Sequence, residues 1–90
     1  MNQTIIDAIN ERRTLTFFYH GERRVVEPHC YGEDTKGHDA LRAYQLGGKG
    51  WRFFHVRDME GGLSLGSVFP RARPDYKRND EMMDRIYAQL

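Results

Sequence analysis

One thiol among ninety residues, Cys30, excludes an internal disulfide and agrees with a reducing compartment. The longest apolar runs, such as Leu15–Tyr19, fall far short of the roughly 20 residues that a membrane-crossing helix needs. Met1-Asn2-Gln3-Thr4 lacks the basic and apolar regions of a signal peptide. These absences predict a cytoplasmic protein with no membrane partner. Net charge is scarce as well. A balance of +1 argues against strong nonspecific binding of nucleic acid, which depends on neutralising many phosphates at once. Lysine is rare, with three against eleven arginines, so most of the basic groups are planar forks suited to carboxylates or phosphates.

What is present is the composition of one folded domain, 39% hydrophobic, 30% charged and 12% aromatic. A chain of this size builds a limited core, which a homodimer would extend. Thr4 with Asp7 reads as a capping box, and Ile5, Ile6, Ala8 and Ile9 supply an apolar stripe, so a helix is predicted over about Thr4–Arg12. Leu15–Tyr19 and Arg23–Glu27 are rich in β-branched and aromatic residues, and the His20-Gly21-Glu22 step between them turns a hairpin. Pro28 cannot donate to a ladder, so pairing is expected to end there and lead into a polar loop around Gly32–His38.

Asp39–Gln45 alternates as a third strand, with Leu41 and Ala43 on one face and Ala40, Arg42 and Tyr44 on the other. Gly47-Gly48-Lys49-Gly50 makes a turn. In the fourth strand, Trp51–Arg57, Trp51, Phe53 and His55 alternate with Arg52, Phe54 and Val56. A short strand near Leu63–Ser67 precedes a connector through Pro70 and Pro74. Met83, Ile86, Tyr87 and Leu90 recur at spacings of three and four, which predicts a closing helix capped by Asn79 or Asp80.

Catalytic signatures are missing. Cys30, Ser64 and Ser67 lie in no nucleophile motif, and the acids at Glu33-Asp34 and Asp80-Glu81 are explained by a loop and a helix start. Gly47–Gly50 is followed by an aromatic strand and not by the helix of a phosphate loop. His20, His29, His38 and His55 lack the close pairing of zinc ligands, so no metal and no cofactor are expected. No enzyme is predicted. The binding candidates are basic and aromatic: Arg42 and Tyr44 on one strand face, Arg52 on the next strand, and Arg71 and Arg73 in the segment Arg71–Arg78. Each has a plainer alternative, a solvated connector for Arg71–Arg78 and pairing of Arg52 with Glu27 or Asp58.

The succession Ile9-Asn10-Glu11-Arg12-Arg13, Leu15-Thr16-Phe17, Tyr19-His20-Gly21, Arg24-Val25-Val26-Glu27-Pro28-His29, Tyr31-Gly32, Leu41-Arg42-Ala43-Tyr44-Gln45 and Trp51-Arg52-Phe53-Phe54-His55-Val56 resembles a WYL domain. Leu41 stands at the leucine of the naming motif, with Asp39 and Ala40 in place of its tryptophan and tyrosine. Arg52 falls at the family's arginine of the following strand, and His55 stands where another arginine is common. The resemblance implies a small Sm-like or SH3-like β-barrel with a leading helix, and with the closing helix read from the spacing the expectation is a mainly β fold with flanking N-terminal and C-terminal helices in a single domain over residues 1–90. The resemblance also implies an accessory domain of bacterial transcription regulation that senses a nucleotide-like ligand or nucleic acid, with Arg52 and His55 at the family's positions, and the basic and aromatic residues Arg42, Tyr44, Arg71 and Arg73 complete the expected non-catalytic binding surface. About fourteen residues precede the first predicted strand, so a DNA-binding domain is expected on a protein partner. A protein-interaction or oligomerisation module is the competing expectation.

Overall fold

A computed structural model describes the whole chain, Met1–Leu90. The elements run α1 (Gln3–Glu11), β1 (Arg13–Tyr19), β2 (Glu22–Asp34), β3 (Asp39–Gln45), β4 (Gly50–His55), a 3₁₀ turn at Val56–Asp58, β5 (Met59–Val68) and β6 (Met83–Gln89). The protein is therefore mostly β with one helix, and that helix is not long and apolar enough to cross a membrane.

The cap of α1 is Asn2, whose side chain accepts from the Ile5 N–H at 3.2 Å, and not Thr4. Ile5, Ala8 and Ile9 form its buried stripe, and Arg12, at φ 53°, turns the chain out of the helix into β1. His20 and Gly21, both at positive φ, make the two-residue turn that the β1–β2 hairpin requires, with Tyr19 opposite Glu22.

The strands form one antiparallel sheet in the order β4-β3-β2-β1-β5, with β6 also on β2. β2 reaches Asp34 and does not stop at Pro28, and only Thr35–His38 remain as a loop. One edge of β2 pairs with β3, while the other pairs with β1 as far as Val26 and with β6 from Cys30 onward. Pro28 lies in the interval between those two partners, where a missing N–H breaks no bond on that edge. Toward β3 the ladder steps from Pro28↔Ala43 to Cys30↔Arg42, a bulge that makes His29 the extra residue.

The C-terminal segment is a strand and not the predicted helix. Its ladder to β2 shifts register between Tyr31 and Gly32 and again between Glu33 and Asp34, each time adding one residue on β6. The bulge at Asp84 stretches the spacing of two between Met83 and Ile86 into three, so the pair mimics a helical stripe. β5 is likewise longer than expected, from Met59 to Val68, with Gly61 and Gly62 at positive φ where its register to β1 slips.

The core is built from α1 and the concave face of the sheet, with Ile5, Ile9, Leu15, Phe17, Val26, Tyr31, Leu41 and Phe54 almost fully enclosed. Phe54 meets Phe17 and Tyr19 edge to face at centroid distances of 5.1 and 4.9 Å, so β4 curls over β1. The Tyr19 hydroxyl accepts from the His55 N–H at 3.1 Å. No ladder joins β4 to β5.

Gly32 has an ordinary φ, but a Cβ there would overlap the Arg85 carbonyl of β6. Gly32→Ala should therefore force β6 away from β2 and destabilise the fold by about 1–3 kcal/mol, the usual penalty of overpacking. Urea denaturation measures it, and an unchanged midpoint would show that β6 contributes little to global stability.

Candidate functional site

Pro28 and the bulge turn His29 toward the outer face of the sheet, where it is completely buried. Its ring touches Trp51 of β4 at 4.7 Å between centroids, Tyr76 at 4.9 Å and Phe69 at 5.9 Å. Both ring nitrogens are used. Nδ1 lies 2.8 Å from the Glu27 carbonyl, and Nε2 accepts from the Arg73 N–H at 3.1 Å. The carbonyl can only accept and the amide can only donate, so the ring is neutral with its hydrogen on Nδ1. Burial, the largest influence, also lowers the pKa of His29, against the raising effect of Glu27. This residue fastens the connector, residues 69–82, across β3 and β4.

The connector brings Asp80 to Arg42 and Asp75 to Trp51, and carries Arg73 to Glu27 of β2. Arg73 forks onto the buried Glu27 at 2.7 and 3.2 Å, and its guanidinium lies 4.0 Å from the centre of the Tyr44 ring. Arg42 pairs with Asp80 at 2.7 Å and covers the Phe53 ring at 4.7 Å. Burial raises the pKa of Asp80, but hydrogen bonds from Arg42 and from the Met82 N–H outweigh it and leave the carboxyl below its ordinary range. The Trp51 indole N–H donates to Asp75 at 2.9 Å. Cys30 is buried, and its thiol is pushed up to about 11 chiefly by burial, with Asp80 adding to it, so it is no ready nucleophile.

Of the six predicted site residues, the structure joins Arg42, Tyr44 and Arg73 in one outer wall with Trp51, Phe53 and Tyr76. Arg52 does not belong to that wall. It sits opposite Ala43, on the core-facing side of β4, and projects exposed at the rim with no ion pair to Glu27 or Asp58. Arg71 is exposed in the connector. His55 turns away from the arginines toward Asp34.

Two clefts flank β4. The first, of about 440 Å³, lies between Arg42, Trp51 and the Asp75–Met82 stretch. Its charges cancel, with Arg42, Lys77 and Arg78 set against Asp75, Asp80 and Glu81. The second, of about 420 Å³, wraps the free edge of β4 and is lined by Tyr19, His20, Arg24, Arg42, Trp51, Arg52, Phe53 and Phe54. It contains three arginines and no acid. Arg24 was not among the predicted site residues. It donates to Gln45 Oε1 at 3.1 Å and to the Tyr19 carbonyl at 3.2 Å, while its buried Nε–H has no acceptor.

Comparison with family models, with curated proteins and with solved structures yields no match.

The neutral His29 makes stability depend on pH. The unfolded chain takes a proton at about pH 6.5 while the folded chain resists it, so stability is full above that pH and declines as pH falls toward the lowered folded-state value. Urea midpoints between pH 7.5 and 5 should fall for the parent. His29→Gln should be less stable throughout but flatter over this window, and parallel slopes would remove His29 as the source.

Proposed function

We propose that the chain is a non-catalytic ligand-sensing domain that takes a planar anion of nucleotide type, free or within a short single strand, at the edge of β4. The observation that carries this reading is the lining of the second cleft: Arg24, Arg42 and Arg52 beside Trp51 and Phe53, with Arg24 paired to Glu22 and Arg42 to Asp80, so that Arg52 is its one arginine without an acidic partner. Arginine forks suit phosphate, and an aromatic wall suits a base. Arg52, exposed and without a carboxylate partner, is the group most available to an incoming anion.

The likeness to WYL domains supports the same reading. A leading helix, a sharply curled sheet and the Tyr19–His55 bond across its mouth favour an incompletely closed barrel of the Sm or SH3 type. In the strand corresponding to the naming motif, Ala40 is fully buried beside Cys30 and Met83, which leaves no room for the motif's tyrosine. The ligand surface of this chain is therefore read from β4 and not from Asp39 and Ala40. A regulatory role in the cytoplasm, with DNA binding supplied by a protein partner, completes the proposal.

A second reading, self-association, is favoured by Phe18, Leu65 and Val68, exposed apolar residues on β1 and β5 next to the free edge of β5. Sedimentation that finds a monomer at high concentration removes it.

The ligand reading is tested with nucleoside triphosphates and a short labelled single-stranded oligonucleotide across a salt series. Binding should weaken with salt. Arg52→Ala should reduce it by roughly tenfold, as expected for one charge-assisted contact worth about 1.5 kcal/mol, and should flatten the salt slope by about 0.7 for a single strand. Absence of binding to either probe at low salt refutes the reading.

A further inference from the structure

At the end of β4 away from Trp51, the antiparallel register sets His55 opposite Ala40, while Asp34 closes β2 and His38 leads into β3. The loop between them is tightly organised. Asp34 Oδ1 accepts from the N–H groups of Lys36 and His38 at 2.9 and 2.8 Å, and the Asp34 N–H donates to the His38 carbonyl at 2.7 Å. Gly37, at φ 82°, permits the turn. Asp34 is itself buried, 5% exposed, and its second oxygen, Oδ2, is left facing two imidazoles.

The Nδ1 atoms of His38 and His55 stand 3.8 and 3.9 Å from that oxygen, and one ligating atom from each of the three residues lies within 4.8 Å of the other two. These separations are too long for direct hydrogen bonds. Both Nδ1 atoms are shielded from solvent and have no hydrogen-bond partner. Buried polar nitrogens are normally satisfied, so two imidazole nitrogens without a partner beside a carboxylate oxygen that accepts no hydrogen bond mark a place for a bound third body. Tetrahedral ligands bound to zinc at about 2.1 Å stand about 3.4 Å apart, a few tenths of an ångström closer than the two carboxylate–imidazole separations here, while the two imidazoles must also close from a separation of up to 4.8 Å. Hinging of two partly exposed imidazoles covers that difference. Each side chain is about one third exposed although its Nδ1 is shielded, so the three ligating atoms lie just beneath the surface.

We propose that Asp34, His38 and His55 form a binding site for one divalent transition ion of the zinc class, held by one carboxylate oxygen and two Nδ1 atoms. Two imidazoles and a single carboxylate suit zinc and its neighbours over magnesium or calcium, which prefer all-oxygen shells. The site is separate from the arginine cleft. It would clamp the β2–β3 loop to the end of β4, where no ladder continues.

The test uses the untagged full chain, stripped with chelator and titrated with zinc by calorimetry, with cobalt as a visible probe. One zinc per chain, visible absorption from cobalt, and a rise in melting temperature with zinc are expected. His38→Ala and His55→Ala should each bind zinc at least about 100-fold more weakly, more than the loss typical of a residue that only supports a ligand. His20→Ala, at an exposed turn, should bind as the parent does. Both ligand variants should melt like the parent in chelator, which separates lost coordination from lost folding. Parental zinc affinity in the His38→Ala, His55→Ala double variant overturns the proposal, as does a parent chain that takes up neither metal.

Discussion

The neutral imidazole of His29 ties the sheet to everything laid across its outer face. The bulge that exposes it to that face lies in the short interval of β2 where β1 has ended and β6 has not begun. Its two nitrogens hold the Glu27 carbonyl and the Arg73 amide, and its own carbonyl accepts from the Tyr76 hydroxyl and the Leu90 N–H. A single residue thus fixes the connector, the chain end and the aromatic wall. The Arg73–Glu27 and Arg42–Asp80 pairs follow from it, because both need the connector to be docked.

Local chemistry made half of this fold readable in advance. The β1–β2 hairpin is announced by aromatic and β-branched residues around His20-Gly21, and Asp39–Gln45 by its alternation, because in these stretches side-chain direction follows the pleat without interruption. Pro28 concealed the length of β2, since a proline's defect matters only where a partner strand needs its N–H. Met83 and Ile86 imitated a helix because a bulge, which arises from pairing with β2, corrupts the period of two. Both misreadings concern long-range pairing, which no local window contains.

The site was legible to the same extent. Arg42 and Tyr44 share a face because they are two residues apart in a regular strand, and that placement holds. The acids that occupy the arginines, Glu27 and Asp80, are 46 and 38 residues from their partners, beyond any spacing rule. His38 and His55 fail a search for close ligand pairs in the sequence for the same reason. Only the β3–β4 register brings His55 back to the loop that carries His38.

The placement of Trp51 has an optical consequence. The only indole in the chain lies outside the main core, between Tyr44, Tyr76 and His29, with its N–H on Asp75 of the connector. Its emission therefore reports whether the connector is seated on β4, while the far-ultraviolet dichroism reports the sheet. The two signals record different events in the same molecule, and any separation between them measures how independently the outer layer lifts from the sheet beneath it.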